Sequence, residues 1–596
     1  MLSFTLMRAV ATKFLAEFAK FLLFAGASLS HADVEICPKL VLKEDISPPL
    51  TDTEKQLICG NPGAANTEFQ AWTRVPLSQA TLHLKAFLQT RGYLNPRFDT
   101  RDDRLHVQPG AKVEVKDLAL ENPEKAPEDF DVTKKRDVAG RTLTPELLSE
   151  VEDWSARELQ NQGYACATAT ALAAADSGQI LLRVEPGERY DFGAITMEPL
   201  SKFAPEAALR GYAFRPGQKY DLRLVRVTEN RLVSTGLLEH AKLVPDCSTN
   251  THEIPVRQFH EVGGSRLLTA SLSADTEHIL QGRAQWMYTH IGHNASQAAV
   301  GLSASARRQE ADLRYEWYFA KPADSHALVP RIIAAQHMED PYRLWTERGM
   351  LLYRTRWDTH SRFAHEFSIG PQFEMWQVKR SRVGEWDSEA ASLRAEYEIH
   401  SLDYELYEKT LPRGTRARVL ATAASDDLLA DFTAQTFALE GVQIWNYKSY
   451  SPPLLMIALR GGLRSTIVPE EFESHLPPTY RAYLGGHETV RGFSRMELPV
   501  EGEGALSAAY AGVELRPDWI TETIHPIFFV DAGLLGRDAF SFASPVYWSP
   551  GLGITWRSPL GPVKSYLAHG FVAGEESATW NADEHWQFYL SLGETF

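Results

Sequence analysis

Beyond its first 32 residues, the chain has no apolar run approaching the roughly 18 residues of a membrane-spanning helix. Any membrane role must therefore be carried by strands. Cysteine is scarce: Cys37, Cys59, Cys166 and Cys247 are the only four in 596 residues, and none lies beyond position 247. No C-x-x-C spacing occurs, which weighs against a metal site and for disulfides in an oxidising compartment or free buried thiols. Four cysteines allow three pairings, and short separation alone favours Cys37 with Cys59. There is no Gly-x-Ser-x-Gly elbow, no Walker loop, and no metal-spaced cluster among the 19 scattered histidines. Neither catalysis nor a cofactor is expected. A net charge of −16 offers no footing for nucleic acid.

What is present begins with Arg8, Lys13 and Lys20, an apolar run over 21–29, and the close Ser30-His31-Ala32. That order reads as a signal peptide over residues 1–32. At the other end, Trp586, Phe588, Leu590, Leu592 and Phe596 alternate with Gln587, Tyr589, Ser591, Gly593 and Thr595. The first set suits lipid and the second a wet lumen. A half-buried strand of a soluble sandwich has the same period, so the tail alone leaves both readings open.

Between residue 33 and about 262, a helix-like run ending Leu-x-x-x-Gly recurs at 88–92, 159–163 and 232–236, with spacings of 71 and 73 residues. Each glycine stands where a helix would stop in a left-handed turn. Two short strands follow each one, over 93–107, 164–184 and 237–256. The first two units close on Pro-Gly at 109–110 and 186–187. Order, spacing and closers together argue for a modular array, with units at 33–110, 111–186 and 187–262 and a final domain at 263–596. A β-α-α-β-β unit of this size after a signal peptide resembles the polypeptide-transport-associated (POTRA) domain. In that family the units sit in the periplasm and offer sheet edges to unfolded clients.

From about residue 265 the chain is a succession of alternating segments. Leu313, Tyr315, Trp317 and Phe319 alternate with Arg314, Glu316 and Tyr318, and Leu393, Ala395, Tyr397 and Ile399 alternate with Arg394, Glu396, Glu398 and His400. Charges at every second position suit a polar barrel interior. About 330 residues, at roughly ten per strand plus turns, make on the order of 16 strands. The expected architecture is periplasmic α+β repeats followed by a transmembrane antiparallel β-barrel.

The most specific segment runs through Gly485, Gly486, Val490, Arg491, Gly492 and Phe493. It resembles the Val-Arg-Gly-Phe/Tyr motif, with its leading glycine pair, of the BamA/TamA-like assembly and secretion barrels that bear POTRA domains. In that family the motif sits at the tip of the sixth extracellular loop, folded back into the barrel. Five strand-like segments follow, near 505–516, 526–535, 550–557, 563–571 and 586–596, placing the motif between strands 11 and 12. Alternation turns Glu514 away from Val513 and Leu515, and Asp531 away from Phe528 and Val530, so both carboxylates point inward. They match the family's Glu-x-Arg and Phe-x-x-Asp-x-Gly patterns, and the resemblance implies that they hold Arg491. The alternative is a pair of ordinary wet lumen charges. Ser549-Pro-Gly-Leu-Gly553 and Arg557-Ser-Pro-Leu-Gly-Pro562 match further. Many members place an aspartate shortly after that Gly-Pro; here Ser565 and Tyr566 stand instead, so the aspartate's role is not carried over.

Three units and one barrel are most similar to the TamA branch, the outer-membrane subunit of the translocation and assembly module. The resemblance implies a non-enzymatic protein of the bacterial outer membrane that helps insert or secrete autotransporters and other barrels. It further implies contact with lipid, with unfolded outer-membrane protein clients and with an inner-membrane-anchored TamB-like partner. A weakly paired seam between the first strand (near 267–273) and the last (586–596) is the expected working part. A dedicated secretion pore for one exoprotein and a role in envelope lipid homeostasis are the competing readings.

Overall fold

The computed structural model describes residues 34–592, except 38–39, 43–45, 48, 50, 52, 55–76, 103, 133, 201, 250, 360–361, 382, 408–411, 448–452, 500–502, 518–522, 559–560 and 575–584. The signal-peptide segment, Cys59 and Phe596 lie outside the described residues. The chain divides into two compact units, one of residues up to 123 with 135–154 and 169–183, the other of 124–134, 155–168 and 184 onward.

Three α+β repeats precede the barrel, each with a helix and a small sheet. In each, the opening strand pairs in parallel with the closing one: Leu40–Leu42 with Arg104–Gln108, Asp117–Leu120 with Gln179–Glu185, and Asp191–Met197 with Glu253–Glu261. The hairpin partners are Arg97–Arg101, Thr168–Ala174 and His240–Pro245. The helices Leu77–Thr90, Pro145–Asn161 and Leu222–Ser234 present one apolar face to their sheets. In the third, Leu224, Val225, Val227 and Leu232 are buried, and Asp221 caps the start by accepting from the Arg223 amide at 2.9 Å.

The helices stop at Gly92, Gly163 and Gly236, all at positive φ. After the first two, the Tyr93 and Tyr164 amides reach back to the Leu88 and Leu159 carbonyls. This closure consumes residues at the start of the expected strands, which begin at 97 and 168 rather than 93 and 164. Cys166 is disulfide-bonded to Cys247. The proposed Cys37–Cys59 bridge depends on a residue outside those described.

The second unit contains the closed antiparallel barrel, running from Arg266–Asp275 to Trp586–Leu592. It has sixteen strands when Gly561–His569 and Phe571–Ala573 are counted as one strand broken at Gly570, since both pair with Ala543–Ser558. The expected barrel is present, and alternation sorts its side chains as the sequence pattern requires. Leu313, Trp317, Leu393, Val513, Val530, Phe588 and Leu590 lie exposed on the outer face. Inside, charges pair across strands, as in Arg331 with Asp312 at 2.8 Å and Arg354 with Glu316 at 2.6 Å. Among the described residues, no helix is long and apolar enough to cross a membrane.

Wall height is uneven. Arg343–Asp358, Phe363–Arg380 and Trp386–Ser401 have 16, 18 and 16 residues, whereas the first strand has 10 and the described part of the last has 7. Among the described residues, these terminal strands join through two pairs only, Ala274 with Leu592 and Asp275 with Ser591. Their other flanks are fully laddered, over 266–275 with 279–288 and over 563–569 with 586–592. At the end of the barrel where the chain enters, the third repeat docks through Arg231. Its guanidinium, 4% exposed, forks to Asp358 (2.8 and 2.9 Å) at the end of the sixth strand and to Glu405 (2.7 and 2.8 Å) in the short helix Leu402–Tyr407.

Candidate functional site

Between Leu455–Ile467, the eleventh strand, and Ser507–Pro517, the twelfth, residues 468–506 form a long loop. Its segment 485–498 packs on the inner side of the barrel. Val490 and Phe493 are fully buried in a cluster with Leu484, Leu498, Ala508 and Tyr547. Phe493 meets the Tyr547 ring edge-on at 5.7 Å. Gly485 and Gly486 have φ of +110° and +92°. Gly492 is required for a different reason: a Cβ there would lie 2.5 Å from the Gly570 nitrogen, at the break in the penultimate strand.

These contacts leave Arg491 aimed at two inward carboxylates. Its Nε donates to Asp531 Oδ2 at 2.7 Å, its Nη2 to Asp531 Oδ1 at 3.0 Å and its Nη1 to Glu514 Oε2 at 2.9 Å. The backbone amide of Arg491 adds a bond to Asp531 at 3.3 Å. Arg491 is 3% exposed and Asp531 fully buried, a setting in which an ion pair must be well matched to persist. The guanidinium also lies 3.4 Å from the Phe529 ring centre and 5.4 Å from that of Tyr566. The twelfth strand and Ile524–Gly536 hold the two carboxylates in adjacent walls, with Gly512 opposite Asp531. A Cβ at Gly512 would overlap the Asp531 carboxylate.

Two further groups belong to the site and escaped sequence reasoning. Arg460, on the eleventh strand, donates to Asp531 at 3.0 Å and to the carbonyls of His487, Glu488 and Thr489 at 2.8–3.0 Å. It thus grips the loop backbone and shares the Asp531 carboxylate. Glu277, in the turn after the first strand, accepts from the His487 amide at 2.9 Å and lies 2.6 Å from its Nδ1. Burial works against charge on both side chains, but their contact prevails: His487 is held above its ordinary pKa and Glu277 below. Nothing in a linear motif marks either residue, since both depend on which strands become neighbours on closure.

At the seam, Trp586, Phe588, Leu590 and Leu592 face outward, while Tyr589 is buried and donates from its hydroxyl to the Phe493 carbonyl at 3.0 Å. Among the described residues, no group of three or more His, Cys, Asp or Glu is placed to hold a metal. The site is a loop fixed by buried ion pairs beside the junction of the first and last strands.

Comparison with known proteins finds partial likenesses. BamA from Haemophilus ducreyi lacking POTRA domains 1–3 is similar in structure, with 16% identity and a TM-score of 0.48 over 81% of this chain and 99% of that one. CdiB from Acinetobacter baumannii gives 12% identity and a TM-score of 0.43 over 89% and 99%. In sequence, the outer membrane protein assembly factor BamA of Nitratidesulfovibrio vulgaris is 26% identical over 148 residues, 23% of this chain and 18% of that relative. The chain thus matches less than a fifth of that relative's length. Residues 412–596, which hold the loop, Glu514, Asp531 and the last strand, match the Omp85 superfamily domain.

Proposed function

We propose that this protein is an outer-membrane assembly factor that receives unfolded barrel and autotransporter clients from the periplasm and templates them at its seam. The observation that carries the reading is the loop anchored by Arg491 to Glu514 and Asp531 beside the junction of the first and last strands. The edges of two such strands, once parted, are templates for another strand. The first strand, 10 residues against 16 to 18 in strands six to eight, supports a second effect, since a short apolar band thins the bilayer locally and lowers the barrier to insertion. No chemistry is required: the proposed role is templating, not catalysis. Three repeats before the barrel favour the TamA type among the possible subfamilies, with a TamB-like inner-membrane-anchored partner engaged by the repeats.

Quantitative outer-membrane proteomics after depletion tests this, with complementation by wild type and by Arg491→Ala. Loss of several unrelated barrels or autotransporters, restored by wild type and poorly by Arg491→Ala, is the expected result. Loss of one exoprotein would identify a dedicated secretion pore. Unchanged proteins with altered outer-leaflet lipid would move the assignment to lipid homeostasis.

A further inference from the structure

The inner loop touches both sides of the seam. On the first-strand side, His487 is bonded to Glu277, two residues beyond the end of that strand. On the last-strand side, the Tyr589 hydroxyl bonds the Phe493 carbonyl at 3.0 Å, and Gln587 Nε2 donates to Ser494 Oγ at 3.1 Å. Arg495 ties the same segment to Glu339 at 3.1 Å, on the turn closing the fifth and sixth strands. The stagger of the barrel explains the need for such a bridge. The far part of the first strand meets the opposite end of the last strand, so residues 586–589 extend past the end of their neighbour. There the loop, and not a ladder, spans the gap.

We propose that residues 485–497 are an internal clasp holding the seam shut, with Glu277 and Tyr589 as the positioning residues that anchor it on either side. The Arg491 ion pairs fix the clasp to the wall formed by strands 12 and 13, giving it a rigid base. Glu277 and Tyr589 convert that base into a bridge over the junction. Release of either anchor frees one terminal strand while the loop stays attached through Arg491 and Arg460. The proposal rests on the seam being the working part, but its test needs no client.

Hydrogen exchange with residue-resolved fragmentation, on the full chain in lipid nanodiscs, reads the junction directly. The Thr276 amide donates across the seam to the Leu590 carbonyl at 3.1 Å and is the reporter. Glu277→Gln keeps the shape and removes the charge; Tyr589→Phe removes only a hydroxyl and leaves folding the least disturbed. Each is expected to speed exchange at Thr276 at least tenfold, with Phe363–Arg380 and Trp386–Ser401 unchanged. Unchanged exchange at Thr276 in both variants, or an equal rise over the whole barrel in both, would overturn the clasp. If the seam loosens in these variants while client assembly proves absent in every background, the clasp stands and the assembly function falls.

Discussion

Asp531 is the most heavily used side chain of the site, accepting from Arg491 at three donors and from Arg460 at one. Glu514 serves Arg491 once and otherwise pairs with Arg516 on its own strand. Asp531→Ala should therefore weaken loop docking more than Glu514→Ala, by about 3–5 kcal/mol, the usual cost of stranding a buried charge partner. Adding Arg491→Ala to Asp531→Ala should cost little more, with a coupling of about 0.5–3 kcal/mol. Protease protection of the loop in folded, membrane-inserted protein measures both, and full additivity would exclude a shared network. Alternation alone was enough to turn Glu514 and Asp531 inward, because a strand offers only two faces. Arg460 and Glu277 were illegible: alternation says which face a residue takes, but not which of sixteen neighbours shares its level.

The same division between local and global information holds for whole elements. Helix ends in the repeats were readable because a left-handed glycine and a back-bonded aromatic leave a local signature. The parallel pairing of first and last strands in each repeat joins residues some 60 apart, beyond what a window of sequence reports. Docking of Leu222–Ser234 on the barrel was equally hidden, since Arg231 looks like an ordinary charged residue near a helix end. Its four bonds to Asp358 and Glu405 make it a pivot for the third repeat. Arg231→Met should release that repeat from the barrel end, at a cost of about 3–5 kcal/mol in docking. Arg231→Lys should rescue poorly, because an ammonium cannot fork to two carboxylates. Distances between spin labels on the third repeat and on Phe363–Arg380 would read the release, and an unbroadened wild-type distribution in Arg231→Met would refute it.

At the scale of the molecule, the seam and the clasp make opposite demands. Templating a client at the junction needs it to open, whereas a loop across it favours closure, so activity should depend on both. Ala274→Cys with Leu592→Cys, at directly paired positions, should arrest client insertion when oxidised and regain it on reduction, with each single cysteine as control. Undiminished insertion by the oxidised protein would mean the seam does not open. The barrel's existence was legible from the two-residue period and the lack of a spanning apolar run, and its strand count from length. Its uneven height was not, because strand ends within alternating sequence carry little Gly/Pro punctuation. The Cys166–Cys247 bond has a consequence for how tension crosses this chain. A pull on the amino-terminal arm passes through sulfur from 166 to 247, bypassing Leu222–Ser234 and its arginine pivot. It then runs along Glu253–Glu261 into Arg266–Asp275. The load thus arrives at one of the two strands that meet at the barrel's seam.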